Sequence, residues 1–98
     1  MHVPKLPDLT IYLGVDREAM TATVSPCSPV IDRPTTVCWK IAEGSAKISF
    51  PGDPAGDLRI EPDAPACKEI SGSCYYFVSL QAPGLSRRVG SMAVIIWG

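Results

Sequence analysis

The residues able to do chemistry are few: four cysteines (Cys27, Cys38, Cys67 and Cys74), one histidine (His2) and a group of acids in a single loop. A structural zinc site draws on Cys or His in close pairs such as C-x2-C. Here ten, twenty-eight and six residues separate successive cysteines, a spacing that fits no common zinc module. A nucleophilic cysteine needs a neighbouring base or a helix N-terminus to become a thiolate. His2 is the only imidazole, it lies in an arm interrupted by Pro4 and Pro7, and the chain has no G-x-S-x-G motif. Core packing is therefore the role expected of Cys74, and a surface position that of Cys38. The acids Asp53, Asp57, Glu61 and Asp63 lack the D-x-D-x-D-G order of a calcium loop and have Arg59 among them, so they read as a solvated loop. No cofactor, metal site or catalytic residue is expected.

Four cysteines allow three pairings if all are oxidised. The segment Met1 to Pro7 has no apolar h-region of a secretory signal. The expected location is thus cytoplasmic, or periplasmic or secreted if a leader has been removed, and reduced thiols are the favoured reading. Strand phase narrows the alternatives: if Trp39 points into a core, Cys38 points away from it. A turn at Ser71-Gly72-Ser73 sets Cys67 and Cys74 out of register, so these neighbours in sequence are not an obvious bridge. A bridge between Cys27 and Cys38 is the best alternative to free thiols.

The remaining composition excludes some partners. Nine basic and ten acidic residues are mixed along 98 positions, for a formal charge of −1, which gives no field to gather phosphate backbones or anionic lipid. Neither a nucleic acid nor a membrane is expected as partner. Arg87-Arg88 alone does not make a basic face. The longest apolar run, Met92 to Trp97, is strand length and far short of the roughly 20 residues of a membrane helix. Nearly half the residues are hydrophobic, enough for one core, and the length suits one domain over residues 8–98 behind an extended arm of residues 1–7.

The elements that must position these residues are short strands. Thr35 to Ile41 is β-branched and alternates Val37, Trp39 and Ile41 with smaller or polar side chains, so Trp39 is expected as the keystone of the core. Asp8 to Leu13 and Glu18 to Ser25 read as a hairpin turning at Gly14-Val15-Asp16-Arg17. Ala46 to Phe50 is expected to pair with the Trp39 strand through Ala42-Glu43-Gly44-Ser45. Ala66 to Ile70 is expected to pair with Cys74 to Leu80, whose residues Cys74, Tyr76, Val78 and Leu80 share a face. Between Pro51 and Pro65 only Leu58-Arg59-Ile60 can form a short edge strand. Seven or eight short strands with turns every 8 to 12 residues give an all-β, antiparallel two-sheet sandwich of immunoglobulin-like or cupredoxin-like type.

The closing segment Ser91 to Trp97 is apolar on both faces, as a strand is when it lies centrally or under another chain. With Ile95 and Trp97 turned outward beside Tyr75 and Phe77, these four side chains form a candidate interaction surface.

The segment order resembles that of the cupredoxin-like sandwiches, in particular small bacterial proteins of that topology. The resemblance covers roughly residues 22 to 97 and rests on Pro29-Val30-Ile31 ahead of Val37-Cys38-Trp39, then Ile48-Ser49-Phe50, Tyr75-Tyr76-Phe77-Val78 and Val94-Ile95-Ile96. The copper-binding members of that fold use two histidines, a cysteine and usually a methionine. This chain has one histidine, and the loop Gln81 to Gly90 has neither His nor Cys, so the resemblance implies a sandwich without the copper ligands. The expected function is a non-catalytic interaction module that docks a protein partner or a second copy of itself through the C-terminal strand. The alternative is a small-ligand or carbohydrate-binding module using Asp53, Asp57, Arg59 and Glu61 in the 51–65 loop.

Overall fold

A computed structural model describes residues 8–53 and 56–98. The arm of residues 1–7, with His2, lies outside the described residues. The described residues form nine strands and no helix: β1 (Leu9–Asp16), β2 (Thr21–Ser25), β3 (Val30–Ile31), β4 (Thr35–Ile41), β5 (Ser45–Ser49), β6 (Leu58–Ile60), β7 (Ala66–Ile70), β8 (Cys74–Gln81) and β9 (Val89–Trp97). They build two sheets, one ordered β2-β1-β4-β7 and the other β3-β9-β8-β5-β6. No helix among the described residues is long and apolar enough to cross a membrane.

The strand alternation holds, but the pairing differs from the antiparallel scheme in two ways. First, β1 runs parallel to β4 and β3 parallel to β9, so the sheets are mixed. Second, β4 and β5 are not a hairpin and neither are β7 and β8: each pair lies in different sheets. Periodicity reports which face of a strand is buried and is silent on which strand lies beside it. The short turns after Ile41 and Ile70 therefore carry the chain from one layer to the other. Gly44 makes the first crossing possible, because its φ is +78° and a Cβ there would sit 2.1 Å from the Gln81 carbonyl oxygen. The β1–β2 hairpin does form, though its turn comes later than Gly14. β1 continues to Asp16, whose carboxylate accepts the Glu18 and Ala19 N–H groups at 3.0 and 3.1 Å and so closes the turn itself.

Trp39 occupies the centre of the core, fully buried and in edge contact with Phe50 and Tyr76 at ring-centroid distances of 5.7 and 5.5 Å. The partners come from three strands or their ends, so this aromatic cluster joins the two sheets. Around it pack Ile11, Val37, Ile48, Ile60, Val78, Leu80 and Ile95, all with little or no exposure. Tyr76, Val78 and Leu80 share the inner face, as the alternation of β8 requires.

On the opposite face of β4, the ladder with β7 sets Cys38 directly across from Cys67, and the two are joined as a disulfide. This corrects both the expectation of reduced thiols and the Cys27–Cys38 alternative. The reason is the strand order: β7 lies beside β4 and not, as its hairpin-like sequence predicts, beside β8. Cys27 and Cys74 are free thiols, the first exposed and the second half-buried.

Candidate functional site

The outward side chains of β8 and β9 follow from the phase of Tyr76. The ladder pairs Tyr76 with Ala93 and Cys74 with Ile95, so once Tyr76 enters the core, Ala93 and Ile95 must enter with it. Ile95 is 0% exposed. Its expected place on an interaction surface is corrected: a strand apolar on both faces does not reveal its phase, and only the register with β8 does. Trp97 shares the inward phase, pairs with Ile31, and is 42% exposed because it lies at the open end of the layer. Tyr75 and Phe77 do lie outward, 52% and 46% exposed, with ring centroids 6.0 Å apart in an edge-on arrangement.

The residues standing beside Tyr75 and Phe77 come from the face of β9 opposite to Ile95. Val94 is directly opposite Tyr75, and Met92, 62% exposed, is directly opposite Phe77. Ile96 follows, paired with the exposed Val30 of β3. Large apolar side chains thus cover three adjacent strands of one sheet face. The signal was present in the sequence as the two-sided apolarity of residues 92 to 97.

The face, not the strand edge, is what remains open along the C-terminal half of β9. Its outer edge is occupied by the chain's own segment 27–31, with the N–H groups of Val94, Ile96 and Gly98 donating to the carbonyls of Cys27, Pro29 and Ile31 at 3.1, 2.9 and 2.9 Å.

Below the apolar rows the same face turns basic. One cross-strand row runs Arg59, Lys47, Ser79, Gly90 from β6 to β9. Arg88 lies over it, its Nε donating to Ser79 Oγ at 2.8 Å and its terminal nitrogen to the Ser79 carbonyl at 3.2 Å.

Of the loop residues Asp53, Asp57, Arg59 and Glu61, Asp53 stands apart, while Arg59 and Glu61 line one cleft with Lys47, to which Asp57 is paired. Asp53 pairs with Lys68 at 2.6 Å, and that ammonium also lies 5.3 Å from the Phe50 ring centroid. Asp57 pairs with Lys47 at 3.6 Å, at the basic row. Arg59 belongs to β6 opposite Lys47, while Glu61 closes a tight bridge with Ala64 at the far end of that strand. A cleft of about 380 Å³ does open beside Asp53, between Phe50, Lys68, Ile70, Cys74 and Tyr75. Burial pushes the Cys74 thiol up, with Lys68 opposing, so at neutral pH the sulfur is protonated and a poor nucleophile. Among the described residues no three of His, Cys, Asp and Glu gather as metal ligands would.

Two buried polar atoms stand out in the core. Trp39 Nε1 and Tyr76 Oη are sealed from solvent without a hydrogen bond among the described residues. Burial raises the Tyr76 phenol, and the neighbouring Trp39 indole N–H opposes that rise.

Comparison with known proteins adds no family: no family model, no curated protein and no solved structure matches the chain.

Proposed function

We propose that the protein is a non-catalytic interaction module, a cupredoxin-like sandwich without copper ligands, that holds a partner protein against the outer face of its five-stranded sheet. One observation carries this reading: Tyr75, Phe77, Met92, Ile96 and Val30 are large, apolar, exposed and contiguous across β8, β9 and β3. Exposed aromatic and methionine side chains in a continuous patch are the composition of a docking surface. Edge-to-edge self-association through β9 has less support, since segment 27–31 already fills the C-terminal half of that edge. The ligand-loop reading also has less support, because Asp53 and Asp57 are each paired with a different lysine in a different place.

The Cys38–Cys67 bridge supports a location outside the reducing cytoplasm, where such bonds persist. Alkylation of the protein isolated from its source under thiol-trapping conditions tests this; labelling of four cysteines instead of two contradicts it.

The double variant Phe77→Ser/Met92→Ser tests the docking face. A cross-strand pair of this kind contributes up to about 1 kcal/mol to a sheet. We expect urea unfolding to shift by no more than that, while native-state binding of a hydrophobic dye is lost. A loss of several kcal/mol would show that these side chains serve the monomer's own fold and would overturn the reading.

A further inference from the structure

Next to the apolar face lies a cleft of about 310 Å³ lined by Ser45, Lys47, Arg59, Ile60, Glu61 and Arg88. Three cations meet there, against the lining Glu61 and the Asp57 that pairs with Lys47, in a chain whose formal charge is −1. Lys47 and Arg59 stand directly opposite each other on adjacent strands, an arrangement of like charges that costs stability. Asp57 answers only Lys47, at 3.6 Å. Arg59 makes no ion pair or side-chain hydrogen bond among the described residues, and Arg88 is held over the sheet by Ser79 alone. Arg88 is thus held beside the cleft by Ser79 and Arg59 stands exposed on its wall, and each guanidinium keeps N–H donors that no carboxylate of the described residues takes.

We propose that this cleft receives a carboxylate of the partner, so that the segment docked on the sheet is acidic at one end and apolar along the rest. The proposal rests on the docking reading above and names the chemistry of its occupant. The spacing fits an extended peptide. One two-residue step along the strands, roughly 7 Å, leads from the Lys47 row to the Phe77–Met92 row, and a second leads to Tyr75–Val94. A second copy of the chain fits less well. A face-to-face dimer that stacks one basic row on the other opposes cation to cation, and Lys47 already faces Arg59 within each copy. Single-stranded nucleic acid fits less well too, because the two exposed rings, Tyr75 and Phe77, stand edge-on to each other and not as parallel platforms, and Met92, Val94, Ile96 and Val30 offer no further ring.

Selection of a displayed library of random twelve-residue peptides on the folded protein tests this, with Phe77→Ser/Met92→Ser as the counter-selection. We expect the recovered peptides to carry Asp or Glu beside alternating apolar residues. A synthetic peptide of the consensus should lose about tenfold in affinity when its acids become amides, and a similar factor on Arg59→Gln or Lys47→Ser, as expected for loss of a charge-assisted hydrogen bond. Apolar consensus peptides without acids, bound equally by wild type and Arg59→Gln, would overturn the carboxylate site and leave the docking face standing. No enrichment over the counter-selected variant would overturn both. Displacement of the peptide by a ten-residue oligothymidylate, or a concentration-dependent dimer abolished by Phe77→Ser, would assign the face to another occupant and overturn the proposal.

Discussion

Tyr76 shows at the level of one residue how a polar atom can sit in this core. Its ring is needed to contact Trp39 and Phe50, but its hydroxyl is sealed in without a bonded partner. Replacing such a group by an apolar one of the same shape is close to neutral or stabilising. Tyr76→Phe is therefore expected to keep or raise the unfolding free energy, by up to about 2 kcal/mol. The same burial makes stability depend on pH. Cys74 and Tyr76 both hold their protons more tightly when folded, so their contribution is fully present below the ordinary thiol and phenol values. As pH rises past about 8.5 for the thiol and about 10 for the phenol, the unfolded chain ionises first and stability falls. Urea unfolding across pH 7 to 11 should show this decline, with Tyr76→Phe removing the later part and Cys74→Ala the earlier. An unchanged alkaline profile in both variants would contradict the assignment.

Gly44 and Gly52 separate, at the level of a turn, two demands that sequence cannot tell apart. Both have positive φ, +78° and +81°, but only Gly44 is pressed against another strand's backbone. Alanine at Gly52 meets open space and bears only the backbone strain, about 1 to 2 kcal/mol. Alanine at Gly44 bears that strain and also displaces the Gln81–Ala82 backbone, so its cost is expected to exceed that of Gly52→Ala clearly. Thermal unfolding of the two variants side by side checks the order, and equal midpoints would contradict the layer-crossing role of Gly44. At this scale too, β9 owes its two-sided apolarity to two jobs: Ala93 and Ile95 fill the core while Met92, Val94 and Ile96 furnish the outer face.

The molecule as a whole is held by crossings between its layers. The chain leaves the four-stranded sheet after β4, supplies β5 and β6 to the other sheet, and returns as β7. The Cys38–Cys67 bridge closes this excursion across a sequence separation of 29. Closing a loop of that size stabilises a fold by about 2 to 4 kcal/mol, chiefly by restricting the unfolded chain. Cys38→Ala/Cys67→Ala is thus expected to lower the melting temperature by roughly 10 to 20 °C, as read by differential scanning calorimetry. A shift of only one or two degrees would mean that the β4–β7 ladder alone fixes this geometry.

Much of the local structure was legible from alternation alone. The strand of Trp39, its burial, the shared inner face of Tyr76, Val78 and Leu80, and the short edge strand Leu58–Ile60 all follow from a two-residue period and the size of the side chains. The exposure of Tyr75 and Phe77 followed likewise, since Tyr76 between them must be inside. Neighbours across space were beyond its reach. That β7 lies beside β4 and thereby joins Cys38 to Cys67, that Ile95 points inward and Met92 outward, and that Lys47, Arg59 and Arg88 converge all depend on register between strands distant in sequence. A strand's own residues set which of its faces is apolar; which strand it pairs with, and at what offset, is decided by the competition of the nine described strands for the two layers around the core.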